Sequence, residues 1–500
     1  MYCECLRVFG FCEPFLDFLY VVFDTLECFQ ILLLKNLKAR GNCMCEILTN
    51  AIMVIEKPKT KEEVLSLANE AVVKFVKMQF TDVNGFIKAV TIPIQKLGNA
   101  IDDNVWFDGS SVEGFTRIAE SDMFLKPDLA TFAIVPWTIG TDTPSARIIC
   151  DVYMPNGEPF KGDPRYILKK QIKRAEDLGY TYYVGPELEF FIFKKENGDF
   201  SPLPFDNAGY FDQTMDLAGD IRGQMSLMLQ KFGLDVEALH HEVAPGQHEI
   251  NFKYEDALTQ ADNVCTFKYV VKSIARRYDL HATFMAKPVA GINGSGMHCN
   301  QSLFKDGENV FYDSEQEKGL SDIARNFIAG QLDHVKAMTA VLNPTVNSYK
   351  RLVAGYEAPV YIAWGQENRS TLVRIPRISK GSPKSTRCEL RSPDPTCNPY
   401  LAFAVMIAAG LDGMERELTP PEPVNENVFE LSNDDAIGKG VDILPNNLNH
   451  ALSYLQEDEV LKKALGAHTL EMYMKAKKAD WLKYKAQVTT WEIEQYLELY

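Results

Sequence analysis

Two glutamates stand two residues apart in an apolar segment that has the composition of a β-strand. Glu187 and Glu189 alternate with Leu188 and Phe190 in the run GPELEFF. Side chains two apart on a strand project from the same face, so both carboxylates are expected to lie together. Buried unpaired charge is costly, and bound divalent cations would offset that cost. The alternative is a strand at the solvated edge of a sheet.

A second pair of glutamates flanks a turn. In HHEVAPGQHEINF, Glu242 and Glu249 lie on either side of Pro245-Gly246, which predicts a hairpin between two strands. The hairpin would bring both carboxylates to one place. Three of the eight histidines lie in the same segment, although each alone is more often structural than a ligand: His240, His241 and His248.

A glycine-rich segment, KPVAGINGSGMHCNQSLF, leads into a third strand. Glycines allow the backbone to approach a ligand closely, and here they are Gly291, Gly294 and Gly296. Their spacing differs from a dinucleotide-binding fingerprint, and a strand pattern occurs where that motif has a helix. On this strand His298, Asn300 and Ser302 share one face, and a neutral imidazole at His298 is a candidate metal ligand.

A fourth segment places a carboxylate beside a guanidinium. Glu389 and Arg391 have strand spacing in RCELRSPDP, which suits a metal next to an anionic substrate. A basic series lies between the third segment and this one: Arg351, Arg369, Arg374, Arg377 and Lys384. A lone arginine is usually a surface charge, but this set resembles clamps for phosphate and carboxylate groups. No phosphate-binding loop of the G-x-x-x-x-G-K-[ST] type is present, so the residues predict phosphoryl transfer on several metals.

The pattern of helices and strands that would position these residues predicts an α+β protein. The chain has 500 residues, 46% apolar content and a net charge of −16, which argues against disorder and against non-specific nucleic-acid binding. Helical spacing over 62–78 is followed by short β-rich runs, which predicts a small α+β domain over 53–160. A helix over 164–178 then opens a larger domain over 161–500 in which helices and strands alternate, and its final region, 447–489, is helical.

Residues 1–52 do not match the rest of the chain. Six of the eleven cysteines lie there, and the apolar stretch 8–34 is interrupted by acidic residues, so it predicts neither a membrane span nor a secretory signal. We interpret this Cys-rich, apolar segment as an upstream extension from a misassigned start, with the protein proper beginning at Met53. A partner-docking or membrane-tethering segment and a zinc site on the Cys-x-Cys pairs are the alternatives.

Together the motifs resemble glutamine synthetase of the type I bacterial and archaeal family. The resemblance covers Met53 to Tyr500 and rests on ordered segments: FDGSSVEGF, GPELEFF, HHEVAPGQHE, KPVAGINGSGMHC, NSYKRLVAGYEAP, NRSTLVRIP and RCELRSPDPTCNPY. It implies a small β-grasp-like N-terminal domain and a large catalytic domain with a curved antiparallel sheet and surrounding helices. It also implies a homo-dodecamer of two stacked hexameric rings, in which the C-terminal segment WEIEQYLELY inserts into the opposite ring.

The resemblance implies two Mg²⁺ or Mn²⁺ sites for each active site. The metal near the substrate glutamate would be held by Glu189, Glu242 and Glu249. The metal on the ATP phosphates would be held by Glu187, His298 and Glu389. Six residues separate Glu242 from Glu249 here; some relatives have one more, a difference that we expect the turn to absorb.

The resemblance also assigns substrate contacts. Glutamate would meet Asn293, Gly294, Arg351 and Arg391, and Glu357 would close over the intermediate on a mobile loop. ATP would meet Asn300, Ser302, Arg369, Arg374 and Lys384. Ammonium would occupy a pocket of Asp108, Ser111 and Tyr210 that is completed by a neighbouring subunit. Asp108, Glu357 and Arg391 are the catalytic candidates.

The implied reaction is ATP-dependent ligation of ammonia to the γ-carboxylate of L-glutamate through γ-glutamyl phosphate, in the cytoplasm and without membrane or nucleic-acid partners. Phe429 replaces the tyrosine that some type I enzymes adenylylate, so that control is expected to be absent. Arg117 matches an arginine of glutamine feedback inhibition, with a surface arginine as the alternative. A small nitrogen-signalling regulatory protein is a further expected partner.

Two other functions compete with this one. A sister ligase of the same fold would join glutamate to an amine, but all the ammonium-pocket residues are present, which favours ammonia. A non-catalytic oligomer would have lost metal ligands, and all six positions are filled.

Overall fold

The computed structural model describes residues 57–112, 114, 122–196, 199–316, 319–378, 383–424, 426–428 and 442–500. The predictions for residues 1–52, Arg117 and Phe429 therefore lie outside the described residues. Residues from Glu56 onward form one compact unit. In the described part of the chain, no helix is both long enough and apolar enough to cross a membrane.

The first part of this unit is built around a six-stranded sheet. Its elements are α1 Lys61–Glu70, β1 Phe75–Thr81, β2 Ile87–Pro93, α2 Leu97–Asp103, β3 Val105–Asp108, β4 Asp122–Pro127, β5 Ala133–Ile134 and β6 Ser145–Tyr153. The strands run in the order β2-β1-β6-β4-β3, with β5 paired to β6, and β1 and β6 are parallel. Alternating buried residues of β1 and β6 pack against α1 and α2.

The helix predicted over 62–78 is shorter in the structure. A capping box of Thr60 and Glu63 starts α1, which ends at Glu70. Val72 has a left-handed φ of 53°, and β1 begins at Phe75. β-branched valines come after the helix and favour a strand, so their helical spacing was the wrong signal.

The second sheet is larger and has eleven strands. They are β7 Thr181–Glu196, β8 Asp199–Pro204, β9 Val236–His241, β10 Gln247–Phe252, β11 Glu255–Asp256, β12 Leu280–Thr283, β13 Met297–Lys305, β14 Glu308–Asn309, β16 Trp364–Gln366, β17 Val373–Ile375 and β18 Cys388–Leu390. Strand β15 Tyr361–Ile362, which comes before β16 in the chain, belongs to a separate pair. The order is β16-β17-β18-β13-β7-β10-β9, with β8, β11 and β12 also paired to β7 and β14 paired to β13. β15 pairs separately with β19 Asp442–Ile443.

Helices cover this sheet and supply most of the large hydrophobic core. They are α3 Pro164–Asp177, α4 Gly219–Lys231, α5 Ala257–Arg277, α6 Asp322–Leu342, α7 Ser348–Arg351, α8 Pro399–Glu415, α9 Leu448–Glu457, α10 Glu459–Leu465, α11 Ala467–Lys485 and α12 Thr490–Tyr496. α6 and α8 touch through glycine: a Cβ on Gly330 would lie 2.2 Å from the Ala409 carbonyl oxygen, and one on Gly413 would lie 2.2 Å from that of Asn326. The α+β class, with its large antiparallel-rich sheet and surrounding helices, is confirmed.

A buried guanidinium joins the six-stranded sheet to two of the helices that cover the larger sheet. Arg165 on α3 pairs with Asp151 on β6 and with Asp128, which directly follows β4, at 2.7 Å each. It also pairs with Asp262 on α5 at 2.9 Å. Only 2% of Arg165 is exposed. Three aspartates on separate elements therefore converge on one cation.

Candidate active site

The register of β7, β13 and β18 creates the first cluster of metal-ligating groups. His298 on β13 is the cross-strand partner of Glu187 on β7, and Asn300 is the partner of Glu389 on β18. His298 Nδ1 lies 3.7 Å from Glu187 Oε2 and 3.6 Å from Glu389 Oε1. These separations exceed hydrogen-bond length and suit neighbouring ligands of one divalent ion, whose bonds are about 2.0–2.2 Å long.

The predicted hairpin creates the second cluster. β9 and β10 pair antiparallel across Pro245-Gly246, with Glu249 opposite His240, and β10 also places Glu249 opposite Glu189 on β7. His240 lies between the two hairpin carboxylates: its Nδ1 is 3.6 Å from Glu242 Oε1 and its Nε2 is 3.6 Å from Glu249 Oε1. His240, Glu242 and Glu249 thus each place a potential ligand atom within 4.8 Å of the other two.

The carboxylate of Glu189 interacts electrostatically with both hairpin glutamates, Glu242 and Glu249. Burial and then the carboxylates of Glu242 and Glu249 raise the pKa of Glu189 well above its ordinary value. Burial and Glu249 likewise raise the pKa of Glu242. Three carboxylates that repel one another this closely are stabilised by a divalent cation, so the donor set fits one.

The imidazole of the first cluster is electrically neutral. Burial and the nearby Arg391 guanidinium lower the pKa of His298 to about 3. A neutral imidazole is the form that ligates metal, so this cluster also fits a divalent cation. The pKa of His240 shifts in the other direction. Burial lowers it, but the carboxylates of Glu249 and Glu242 outweigh burial and raise it.

Side-chain amides hold one oxygen of several cluster carboxylates. Asn300 donates to Glu187 Oε1 at 2.9 Å, and Asn251 donates to Glu249 Oε1 at 2.7 Å. Gln247 donates to Glu189 Oε2 at 2.7 Å. Gln247 and Asn251 were not predicted as site residues, although both stand two residues from Glu249 and so share its face of β10.

One predicted clamp arginine, Arg374, and the guanidinium predicted beside Glu389, that of Arg391, contact the first cluster directly. Arg374 on β17 donates to Glu389 Oε2 at 2.8 Å, and Arg391 donates to Glu389 Oε1 at 2.5 Å. Among the described residues, the buried Nε atoms of both arginines have no hydrogen-bond partner. Cationic groups with unused donors beside a metal-ligating carboxylate are suited to an anionic substrate.

Two of the predicted glutamate-binding residues, Arg351 and Gly294, lie near Glu189 of the second cluster. Arg351 is buried and donates to the carbonyl oxygens of Ser392 at 2.8 Å and Pro393 at 3.2 Å. Position 294 has no room for a side chain, because a Cβ there would lie 2.2 Å from the Ala286 carbonyl oxygen. The carbonyl oxygen of Gly294 accepts a hydrogen bond from Gln247 at 3.1 Å.

The segment around Glu357 closes one side of this region. Asn293 donates to Glu357 Oε2 at 3.0 Å. Glu357 has a left-handed φ of 54°, which is strained for a residue with a side chain. The Lys287 ammonium lies 3.8 Å from the ring centroid of the adjacent Tyr356. The loop is therefore tied to the glycine-rich segment at two points.

Tyr210 and Arg369 meet beside the second cluster. The ring of Tyr210 packs edge-on against His240, with centroids 5.6 Å apart. Burial and Glu242 raise the pKa of the Tyr210 hydroxyl, while a hydrogen bond with the exposed Arg369 opposes them. Tyr210, a candidate for the ammonium pocket, and Arg369, a candidate for ATP binding, are thus brought together.

The other candidates are more scattered. Ser302 is buried on β13, two residues beyond Asn300. Lys384 is exposed on the turn Pro383–Ser385, whose backbone Asn309 binds. Asp108 ends β3 of the smaller sheet and accepts a hydrogen bond from the Ser110 N–H at 2.8 Å, and Ser111 closes the same turn. The metal-ligating clusters of the described residues do not include Asp108.

The other two hairpin histidines lie in a separate buried group with Asp206. His241 donates through Nε2 to Asp206 at 2.9 Å. His248 is buried beside Arg222, which contacts its Nδ1 at 3.0 Å.

Two ligand clusters on one antiparallel sheet, with guanidinium groups against them, define a metal-dependent enzyme of phosphoryl transfer. The chain belongs to the glutamine synthetase family. The model of the family's catalytic domain matches residues 161–496, and the model of its β-grasp domain matches residues 72–155. The resemblance drawn from the sequence motifs and the predicted pair of domain types are confirmed.

Named relatives agree with this assignment. The chain is 52% identical over 443 residues to glutamine synthetase of Clostridium saccharobutylicum, an alignment that covers 88% of this chain and 99% of that protein. It is 52% identical over 447 residues to glutamine synthetase of Methanosarcina mazei, covering 89% and 99%. The solved structure of GmaS in complex with ADP matches with a TM-score of 0.79 and 34% identity, covering 87% of this chain and 99% of that one.

Proposed function

We propose that this chain ligates ammonia to the γ-carboxylate of L-glutamate, with ATP converted to ADP and phosphate. The observation that carries the proposal is the register of β7, which presents Glu187 to one ligand cluster and Glu189 to the other. A carboxylate is a poor electrophile, so it must be activated, and phosphorylation by ATP supplies the leaving group. The names of the relatives and the ADP held by GmaS support the same reaction.

The two clusters would hold the divalent ions. Glu187, His298 and Glu389 would hold one, and Glu189, Glu242 and Glu249 the other, with His240 at its edge. Bound Mg²⁺ or Mn²⁺ would neutralise charge on the phosphates and on the γ-carboxylate. His298 would be neutral, and the register of β7 and β13 sets Glu187 and His298 on one face, so these two ligands would be organised before the metal binds.

Arginines would neutralise the charge on the transferring phosphoryl group. Arg374 and Arg391 each contact Glu389, which puts them within reach of phosphates near the first cluster. Arg369, Asn300, Ser302 and Lys384 would complete the nucleotide contacts. Arg351 and the Asn293–Gly294 segment would hold substrate glutamate beside the second cluster.

Asp108 would remove a proton from ammonium, which is not nucleophilic in its protonated form. The ammonia so formed would attack γ-glutamyl phosphate and release phosphate. The family resemblance implies that Asp108, on the smaller sheet, would serve the active site of an adjacent subunit together with Ser111, while Tyr210 lies beside the second cluster. This division of the pocket between subunits predicts that activity requires the oligomer.

The loop around Glu357 would exclude water from the acyl phosphate, which water would otherwise destroy. The strained φ of Glu357 and the contacts of Asn293 and Lys287 support a closed form of this loop. Glu357 would then lie over the intermediate.

We further infer a dodecamer of two hexameric rings that works in the cytoplasm. The C-terminal helix α12 and the residues after it expose an apolar surface that a second copy would bury: Trp491, Ile493, Leu497 and Leu499. The division into residues 1–52, 53–160 and 161–500, the regulatory role of Arg117 and a nitrogen-signalling protein partner also remain proposals.

The test is ATP-dependent glutamine formation by the full chain with glutamate, Mg²⁺ and ammonium, compared with a small primary amine. Glutamine from ammonium is expected. Asp108→Asn should reduce it by about 100-fold or more, because a general base of this kind contributes that much. Asp122→Asn, the cross-strand partner of Asp108, is the matched control and should retain activity. Amide formed only from the amine would contradict the proposal in favour of a sister ligase.

A further inference from the structure

Gln247 is a buried amide at the centre of the second cluster that no substrate or metal assignment uses. Only 1% of it is exposed. It opens β10, where its backbone N–H donates to the Ala244 carbonyl oxygen at 3.0 Å and its carbonyl oxygen accepts from the Glu242 N–H at 2.8 Å. The residue is thus fixed by the hairpin turn between the two metal-ligating glutamates.

The side chain of Gln247 reaches out of the hairpin to two other elements. Its Nε2 donates to Glu189 Oε2 on β7 at 2.7 Å and to the Gly294 carbonyl oxygen at 3.1 Å. Its Oε1 accepts from the Ala244 N–H at 3.4 Å. One amide therefore connects the hairpin, a metal-ligating carboxylate and the glycine-rich segment.

The same oxygen of Glu189 receives a second donor. The backbone N–H of Gly296 donates to Glu189 Oε2 at 2.9 Å, beside the Gln247 bond. Two N–H donors occupy the lone pairs of Oε2 and leave Oε1 as the oxygen that they do not engage. Groups of this kind orient a metal ligand and fix which atom faces the ion.

The neutrality of the amide matters as much as its geometry. Glu389 in the first cluster receives two guanidinium groups, which offset its charge. Glu189 instead receives an amide and a backbone N–H, which orient it but add no positive charge. The amide and the N–H therefore leave the charge of Glu189 to be offset by a bound cation and by the nearby Arg351 guanidinium.

We propose that Gln247 is a positioning residue that selects the metal-facing oxygen of Glu189 and couples the second metal site to the Gly294 segment. The inference rests on the proposed function, because it assumes that Glu189, Glu242 and Glu249 hold a divalent ion. It predicts a loss of metal affinity that is confined to this cluster.

The test measures Mn²⁺ binding to the metal-free full chain by electron paramagnetic resonance of the unbound ion. Gln247→Met keeps the length of the side chain and removes its donor, so we expect one class of Mn²⁺ site to weaken by about 10-fold or more while the other is unchanged. Gln331→Met is the matched control, since Gln331 is a fully buried amide on α6 that donates to Gln301 and to the Met406 carbonyl oxygen. It should leave both classes unchanged.

A thermal midpoint without metal separates positioning from folding. Loss of a buried hydrogen-bonded amide lowers that midpoint in both variants, but only Gln247→Met should also lose Mn²⁺ affinity. Gln247→Asn, which keeps an amide that is too short to reach Glu189, is expected to lose affinity in the same way and replaces Gln247→Met if that variant does not fold. Unchanged Mn²⁺ binding in a folded Gln247 variant overturns the inference alone. A wild-type chain that binds no Mn²⁺ overturns the inference and the proposed function together.

Discussion

Glu187 on β7 stands directly opposite His298 on β13 in the larger sheet. Two residues further along β7, Glu189 stands opposite Glu249 on β10. Because side chains two apart share a face, one strand supplies a ligand to each of two adjacent clusters. A slip of one residue in the register of β7 would turn both carboxylates to the opposite face, so the pairing of this strand and the site are specified together.

Removal of divalent cations is expected to lower the thermal midpoint of the protein. The carboxylates of Glu189, Glu242 and Glu249 repel one another without a cation, and an ion present at 100 times its Kd adds about 2.7 kcal/mol to the stability of the folded state. Thermal unfolding with a chelator and with added Mg²⁺ measures this difference. Glu189→Gln should raise the midpoint of the metal-free protein and shrink the metal-induced shift. A shift as large as that of the wild type would contradict the assignment.

Gly296→Ala is expected to impair the site rather than the fold. A Cβ at this position would lie 2.6 Å from Arg351 Nη2 and 3.0 Å from His298 Nε2, so it would displace a clamp and a metal ligand. Activity should fall by about 100-fold, as misplacement of reacting groups by 1 Å does. Gly223→Ala on α4 is the control, because nothing lies within 4 Å of its Cβ. That change should raise stability by about 0.5–1 kcal/mol and leave activity unchanged.

Arg165→Met is expected to destabilise the protein strongly. It would leave Asp128, Asp151 and Asp262 close together without their shared cation. Breaking a buried ion pair from one side costs about 3–5 kcal/mol. Arg174→Gln, which breaks an ion pair with Glu415 in which both side chains are about one-third exposed or more, should cost less than about 1 kcal/mol. Denaturant unfolding of the metal-free protein measures both, and equal losses would refute the role of Arg165.

The sequence was sufficient for most of the site because strand spacing has few interpretations. Glu187 with Glu189 predicted a shared face, and Glu242 with Glu249 across a turn predicted a hairpin that brings both carboxylates to one place. The register of β7 and the β9–β10 hairpin agree with these expectations. The helix over 164–178 was predicted to within one residue of α3 at its C-terminal end. In contrast, the length of α1 was wrong, since apolar valines satisfy both the helical and the extended pattern where the chain changes from one to the other.

Contacts between distant segments were beyond the sequence. The hydrogen bonds of Gln247 to Glu189 and Gly294 join positions that are 58 and 47 residues apart, and no local pattern encodes them. The same is true of His240, whose place between two carboxylates depends on the hairpin register. Amides two residues from a predicted ligand on a strand, as Gln247 and Asn251 are from Glu249, are the signal that could have indicated these partners.

Lys287→Met is expected to uncouple ATP hydrolysis from glutamine formation. Lys287 lies against the ring of Tyr356 at 3.8 Å, next to the strained Glu357, and such a contact stabilises by about 0.5–2 kcal/mol. A loop that opens more often exposes the acyl phosphate to water. The ratio of phosphate released to glutamine formed should therefore rise above that of the wild type. Lys305→Met removes an equivalent contact with Tyr180 at 6.0 Å and should leave the ratio unchanged; a rise in both would exclude a local role.

His334 is expected to make the stability of the protein fall as the pH rises above neutrality. This histidine on α6 bonds Asp458 through Nδ1 at 2.6 Å and Asp412 through Nε2 at 3.0 Å, while Arg416 pairs with Asp412 and with Asp333. Burial alone would lower the pKa of His334, but the bonds to Asp458 and Asp412 outweigh it and raise the pKa above the ordinary value near 6.5. The folded state therefore binds the proton more tightly than the unfolded state.

The sign of the pH dependence comes from that difference. The stabilisation is complete below the pKa of the unfolded state and is lost as the pH rises through the higher pKa of the folded state. Thermal midpoints of the metal-free protein at intervals from pH 6 upward should decline over this window, and His334→Gln should flatten the decline. His281 provides a control of opposite sign, because burial and the nearby Lys272 lower its pKa. His281→Gln should remove a loss of stability on acidification. A wild-type thermal midpoint that rises with pH and is unaffected by His334→Gln would refute the stabilising role of protonated His334.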